Sequence, residues 1–178
     1  KANGIHLLEK SQRNPLLTTT LGTGEMIKVA LDHGVTKIII GLGGSVTNDA
    51  GAGMAQALGA KFYDIDGGEV AVGGGQLKQI HQIDLSALDA RLKQVEIMIA
   101  SDVNNPLCGE QGASSVFGAQ KGATPDMVKQ LDQNLSHFAD LVEQQCGLDL
   151  RNFAGAGAAG GLAFALMAFA GAKLRSGV

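Results

Sequence analysis

The chain has 178 residues, 45% hydrophobic and 17% charged, which is ordinary for a globular domain that is long enough to bury its own core. With a net charge of -3, no Trp and one Tyr, it lacks the basic surface and the stacking side chains that nucleic-acid binding needs. Cys108 and Cys146 belong to no metal or disulfide pattern, so we expect a cytoplasmic protein. The chain opens on Lys1 without a signal-type start, which favours a piece of a longer protein.

Helical and strand patterns alternate along the chain. Amphipathic or apolar helices are predicted near residues 25–31, 54–58 and 162–169, and a long helix runs from the Thr124-Pro125-Asp126 start to the stop at Gly147. Strands are predicted at 35–40, 61–63 and 95–100, with a weak one at 148–153. Helices that follow strands this often predict an α/β fold with a largely parallel or mixed sheet flanked by helices, in one domain spanning 1–178.

The glycine-rich turn at residues 41–53 is the strongest functional signal. It follows a predicted strand and precedes a helix, so its backbone N–H groups are placed to bind an anion. Asp49 adds a carboxylate that could hold a divalent metal or accept a proton from a hydroxyl. The alternative is a tight structural turn in which Asn48 or Asp49 only caps the helix.

Three further charged side chains are candidates for the same chemistry. Asp102 lies just past a predicted strand, where ligand-binding residues of open α/β sheets gather, although a turn acid that bonds its own backbone fits as well. Lys121 could place a point charge on a phosphate or carboxylate, or be a solvated surface residue. Arg13 could grip a carboxylate with two N–H groups, and a surface role is the alternative.

The uncharged stretch 154–172 approaches the length of a membrane span. Its apolar part is too short to cross a bilayer, so we predict a buried helix and no membrane association. Gly155, Gly157 and Gly160 match a dinucleotide-binding spacing but lack its strand and its acidic residue. We expect Gly157 to Gly161 to begin the last helix and to pack close to the turn at Gly43 and Gly44.

Five motif blocks in order make the chain resemble the type I glycerate kinases over nearly its whole length. The blocks are Asn14-Pro15-Leu16 with Thr18-Thr19-Thr20 and Gly22-Thr23-Gly24-Glu25, Gly43-Gly44-Ser45-Val46-Thr47-Asn48-Asp49, Ser101-Asp102-Val103 with Asn105-Pro106-Leu107, Gln120-Lys121-Gly122-Ala123, and 155–161. Four positions depart from the family pattern: Ala50 for Gly, Ser101 for Cys, Asn104 for an acid and Ala119 for Pro. The loss of an acid at Asn104 weakens a metal-binding role for that loop.

The resemblance implies ATP-dependent phosphorylation of glycerate, to 2-phosphoglycerate as in the bacterial members, with Mg²⁺. Family members are about twice this length. The resemblance therefore makes this chain the middle domain, with N- and C-terminal segments that build a second domain across the active cleft. The predicted catalytic residues are Asp49, Asp102 and Lys121, the two aspartates also being the metal ligands, and the predicted substrate-binding residues are Gly43, Gly44, Ser45, Thr47, Asn48, Asn105 and Arg13.

A non-catalytic domain that binds a small anion or a sugar phosphate is the alternative. Such a domain needs the N–H groups of the glycine turn but not both carboxylates. For a kinase, Asp49 and Asp102 should lie at the same end of the sheet, and both should be at least partly exposed in a concavity.

Overall fold

The computed structural model describes residues 2–175, and Lys1 and 176–178 lie outside the described part. Its strands are β1 (Lys37–Gly41), β2 (Lys61–Tyr63), β3 (Gln82–Asp84), β4 (Glu96–Ala100) and β5 (Lys173–Arg175). Its α-helices are α1 (Leu21–Asp32), α2 (Ala52–Ala57), α3 (Ala113–Phe117), α4 (Pro125–Cys146) and α5 (Ala158–Ala170), with short 3₁₀ turns between them.

The main sheet is parallel and has the strand order β1-β4-β5. Ile38 pairs with Ile97 and Ile40 with Ile99, and the two β4 isoleucines are almost fully buried. These β-branched side chains suit a pleated surface that is covered by helices. The predicted α/β class with a parallel sheet flanked by helices is therefore confirmed.

A second, two-stranded sheet pairs β2 and β3 antiparallel. Phe62 of β2 is fully buried, and its ring meets the ring of Phe138 of α4 edge-on, with the centroids 5.4 Å apart. Phe169 of α5 lies against both rings, so this aromatic cluster joins the small sheet to two helices. β3 and β5 had no predicted counterpart, because each has a single apolar residue between two polar ones, whereas the equally short β2 has two aromatic residues.

The long helix α4 begins and ends as the sequence predicts. The Thr124 hydroxyl accepts a hydrogen bond from the N–H of Met127, Pro125 opens the first turn, and Gly147 stops the helix at φ +70°. Its buried side chains include Leu131, Leu135, Phe138 and Val142. The weak strand predicted at 148–153 is wrong, since these residues form loop and turn.

The last helix is buried almost throughout, but it does not begin regularly. Ala159, Gly160 and Gly161 all have left-handed backbone angles, so the regular part begins at Leu162. Among residues 2–175, no helix is both long and apolar enough to cross a membrane.

Candidate functional site

Two loops leave the same end of the sheet. β1 and β4 run parallel with Gly41 beside Ala100, and the N–H of Leu42 donates to the carbonyl of Ala100 at 3.0 Å. The glycine loop (residues 42–50) follows β1 and the Asp102 loop (residues 101–106) follows β4. Both begin at the carboxyl ends of neighbouring strands, as predicted, which is where open α/β sheets bind ligands.

Asp49 lies at the end of the glycine loop and is held by two helix starts. Its Oδ2 accepts hydrogen bonds from the backbone N–H and the hydroxyl of Thr20, at 2.8 and 2.9 Å, and from the hydroxyl of Thr19 at 3.2 Å. The N–H groups of Gly53 and Gly51, at the start of α2, donate to Oδ2 and Oδ1. Asp49 therefore joins Thr20, which precedes α1, to the first turn of α2.

The prediction that Asp49 is partly exposed is wrong. Its side chain has no solvent-accessible surface, and burial raises the pKa of the carboxyl above its ordinary value, against the lowering effect of hydrogen bonds from Thr20, Gly51 and Gly53. The physical reason is that a carboxylate bonded to the starts of two packed helices must lie between them. In this arrangement Asp49 does not face a cleft.

Lys121 is also buried, although it looks like a surface residue in sequence. Only 2% of it is exposed, and its Nζ donates to the carbonyl oxygen of Thr47 at 2.7 Å. Burial lowers the pKa of Lys121 to about 8, and the nearby charge of Asp49 opposes that shift. The solvated-surface alternative is therefore wrong, and Lys121 is bound to the glycine loop.

Asn48 presents a buried oxygen with no partner. Its Nδ2 donates to the hydroxyl of Ser114 at 2.9 Å, whereas its Oδ1 has no hydrogen bond within the described residues. An unpaired buried acceptor costs free energy, and such groups are often found where a ligand or an ion completes the pairing. Thr47 and Ser45 are buried beside it, the Thr47 hydroxyl accepting from Asn3 Nδ2 at 3.0 Å.

Gly43 and Gly44 are the exposed part of the glycine loop. Within residues 2–175 the backbone N–H groups of Gly43, Gly44 and Ser45 donate to no protein acceptor. Gly44 has φ +60°, the conformation that turns successive N–H groups towards one point. These three groups are available to a ligand, and anion binding by them stays a prediction.

The Asp102 loop carries an exposed carboxylate on a braced backbone. Asp102 is exposed, and the neighbouring Ser101 is buried. Asn105 is used structurally: its Nδ2 donates to the carbonyl of Gln111 at 2.8 Å, and its own carbonyl accepts from the N–H of Gly157 at 3.0 Å. Of the two predicted acids, Asp102 is thus the exposed one.

Arg13 is placed by backbone carbonyls. Its Nε donates to Leu8 at 3.3 Å and its Nη1 to Gln120 at 3.4 Å. A Cβ on Gly122 would lie 2.4 Å from the carbonyl oxygen of Arg13, so the two segments touch. Arg13 braces the segment that carries Lys121.

Gly160 and Gly161 pack against a later part of the glycine loop than the sequence predicts. A Cβ on Gly160 would lie 2.0 Å from the carbonyl oxygen of Thr47, and one on Gly161 would lie 2.7 Å from Cα of Ala50. The close approach is therefore to residues 47–50, while Leu162 shares a groove with Gly43 and Gly44. Glycine is required here because any side chain would push α5 off the loop.

Two residues that the sequence left unnoticed belong to this region. Arg175 pairs with Ala100 at the carboxyl end of β5, so it is an exposed cation at the same sheet edge as both loops. Ser114 orients the Asn48 amide from α3. β5 is too short to be found from periodicity, and Ser114 has no local signal, so only the fold reveals either residue.

Comparison with known proteins agrees with this arrangement. The model of the glycerate kinase family matches residues 1–178. The chain belongs to the glycerate kinase family. The sequence resemblance is thereby confirmed, and every predicted site residue lies inside the matched range.

Relatives within the glycerate kinase family cover this chain almost completely. A glycerate kinase from Haemophilus influenzae is 55% identical over 177 residues, which are 99% of this chain and 47% of that protein. Glycerate 2-kinase from Escherichia coli K12 is 54% identical over 177 residues, covering 99% and 46%. The crystal structure of a protein provisionally named glycerate kinase 2, from Salmonella typhimurium LT2, superposes with a TM-score of 0.97 at 53% identity, over 99% of this chain and 47% of that one. The chain spans about half the length of these relatives.

Proposed function

We propose that the full-length protein phosphorylates glycerate with ATP and Mg²⁺, giving 2-phosphoglycerate, in a cleft between this domain and flanking segments of the longer chain. The observation that carries the proposal is that the glycine loop and the Asp102 loop lie at the same edge of the sheet in this member of the glycerate kinase family. The unpaired N–H groups at Gly43–Ser45 lie on the glycine loop, and the exposed carboxylate lies on the Asp102 loop. Both loops begin at the same ends of neighbouring strands. An anion site beside a proton acceptor is what a hydroxy-acid kinase needs.

The exposed residues of the site contact the substrate in this proposal. The N–H groups of Gly43 and Gly44 bind the glycerate carboxylate or a phosphate, and Asp102 accepts the proton of the attacking hydroxyl. Asn48 acts from within the glycine loop, where its buried Oδ1 accepts a hydrogen bond from a ligand hydroxyl or an ordered water. Arg175, at the third strand end, adds positive charge for the transferring phosphoryl group.

The buried residues act through the glycine loop. Lys121 donates a hydrogen bond to the carbonyl of Thr47 in this loop. Asp49 fixes the end of the loop between α1 and α2. Both are positioning residues here, since neither reaches solvent. A rigid loop keeps its N–H groups aimed at the ligand without further ordering on binding.

The exposed carboxylate of Asp102 is suited to bind Mg²⁺, and the buried carboxylate of Asp49 in this arrangement is not. Both Asp49 oxygens already accept hydrogen bonds, Oδ2 from Thr20 and Gly53 among others. Among residues 2–175 there is no group of three or more His, Cys, Asp or Glu side chains that could hold a metal. Mg²⁺ in kinases is held by one or two carboxylates and by the nucleotide phosphates, whose charge it neutralises.

The experiment is a kinase assay on the full-length protein, with ³¹P NMR of the product to tell the 2-phosphate from the 3-phosphate. We expect ATP- and Mg²⁺-dependent formation of 2-phosphoglycerate. Asp102→Asn should lower kcat by at least about 100-fold, because the amide cannot accept the proton. Asp66→Asn is the matched control, since Asp66 is an exposed acid on the turn after β2, and it should stay within about twofold of wild type.

The same assay separates the kinase from the anion-binding alternative. A full-length protein that binds glycerate without turnover, with affinity unchanged by Asp102→Asn, would be a non-catalytic binding domain. Turnover that yields only the 3-phosphate would retain the kinase and overturn the assignment of the 2-hydroxyl.

A further inference from the structure

The backbone of β1 has one open side within residues 2–175, because β4 is its only paired neighbour there. The N–H of Leu42 donates to Ala100, and the carbonyl of Thr36 accepts from Glu96, so the even-numbered residues of this segment face β4. Backbone groups alternate in direction along a strand. The N–H and C=O groups of Ile39 and Gly41 therefore point to the open side.

One face of the parallel sheet is also uncovered at β1. Ile38 and Ile40 turn towards the core, whereas Ile39, on the other face, is 63% exposed and lies beside Met98 of β4. Parallel sheets are normally covered on both faces, and an exposed apolar edge strand invites aggregation. The isoleucine run of β1 has the composition of a strand that is buried in the complete protein.

An apolar groove of about 450 Å³ runs along this edge. Its walls are the β1 residues Ile38–Gly41 and the α1 side chains Met26 and Ile27, of which Met26 is 57% exposed. The first described residues of the chain also line it. Ala2 and Asn3 line the groove, and Gly4 forms an antiparallel bridge with Ser45 just beyond β1.

From this geometry we infer that the segment N-terminal to residue 1 in the full-length protein forms a β-strand that pairs with the open edge of β1. Ala2 is the first described residue and lines the groove, so the preceding segment of the longer chain starts close to this edge. Relatives about twice as long have the residues for such a strand. The added strand satisfies the outward N–H and C=O groups of Ile39 and Gly41, and its apolar side chains cover Ile39. This inference does not depend on the reaction that the protein catalyses.

Residue-resolved amide exchange on the full-length protein tests the pairing. The N–H groups of Ile38 and Ile40 face β4 and serve as internal standards within the same strand. With the added strand, the Ile39 and Gly41 amides should exchange within about tenfold of those standards. Faster exchange of both amides than that overturns the proposal.

Photo-crosslinking identifies the occupant. A benzophenone amino acid at position 39 of the full-length protein should cross-link to the segment N-terminal to residue 1 within one chain, because neighbouring strands lie about 5 Å apart. The matched control is position 65, an equally apolar site that is 76% exposed on the turn after β2, and it should give no cross-link to that segment. A position-39 cross-link to the C-terminal flank or to a second copy overturns the assignment of the N-terminal segment.

Discussion

Oδ2 of Asp49 lies 2.8 Å from the backbone nitrogen of Thr20 and 2.9 Å from its hydroxyl oxygen. The Thr20 hydroxyl in turn accepts a hydrogen bond from the N–H of Met54 at 3.0 Å. This pair joins the start of α1 to the first turn of α2, and it holds the glycine loop between them. The residue that looks most like a catalytic acid in sequence is thus part of the framework.

Asp49→Asn should destabilise the protein strongly. The amide has one acceptor oxygen for donors that now reach two, so buried N–H and O–H groups lose their partner, at a cost of about 3 kcal/mol in the free energy of unfolding. Urea unfolding of the full-length protein measures the loss. Asp66→Asn, at an exposed site on the turn after β2, should change that free energy by less than about 0.5 kcal/mol. An Asp49→Asn protein of normal stability but no activity would show that Asp49 contacts the reacting groups directly.

Lys121 should make stability rise with pH. Its pKa of about 8 in the folded protein lies below the ordinary 10.5, so between these pH values the unfolded state binds more protons. The free energy of unfolding should therefore rise through this window, by up to about 3 kcal/mol relative to Lys121→Met, which has no titrating group. Unfolding measured at pH 7.5 and at pH 10 in both proteins isolates this contribution. Parallel pH dependences in the two proteins would contradict it.

Comparing Gly160→Ala with Gly147→Ala should separate the cost of backbone strain from the cost of a steric clash. Gly160 has φ +67°, and a Cβ there would lie 2.0 Å from the Thr47 carbonyl oxygen. Gly147 has a similar φ of +70° with nothing within 4 Å, so Gly147→Ala reports the strain alone. We expect Gly147→Ala to cost about 1 kcal/mol and Gly160→Ala at least about 3 kcal/mol. Equal melting temperatures for the two variants would show that the loop moves away from α5 at no cost.

The 178-residue chain by itself should fold but not phosphorylate glycerate. It has a buried core that joins both sheets to α4 and α5, which favours independent folding. Phosphoryl transfer needs donor and acceptor positioned together, and part of that arrangement is proposed to come from the flanking segments. Circular dichroism and a coupled ATP assay measure the two properties. ATP-dependent product from this chain alone would refute the shared cleft.

Regular elements were predictable where local physics dominates. The strand before the glycine loop and the helix from Pro125 to Cys146 follow from β-branched runs, apolar spacing and caps, which are interactions within a few residues. β3 and β5 could not be predicted, because each has one apolar residue between two polar ones and is held only by pairing with distant strands, whereas the equally short β2 has two aromatic residues. The left-handed start of α5 was not predicted either. Its glycines adopt this conformation where they pack against the backbone of residues 47–50, which is distant in sequence.

The sequence by itself determined the family, the α/β class and the segments that meet at the site, because these depend on residue order and on local spacing. Only the tertiary structure decided which charges are exposed. Asp49 and Lys121 are as polar in sequence as Asp102, yet packing against Thr20 and Thr47 buries the first two and leaves the third at the surface. Burial is a property of what the rest of the chain places around a side chain, and no local pattern encodes it.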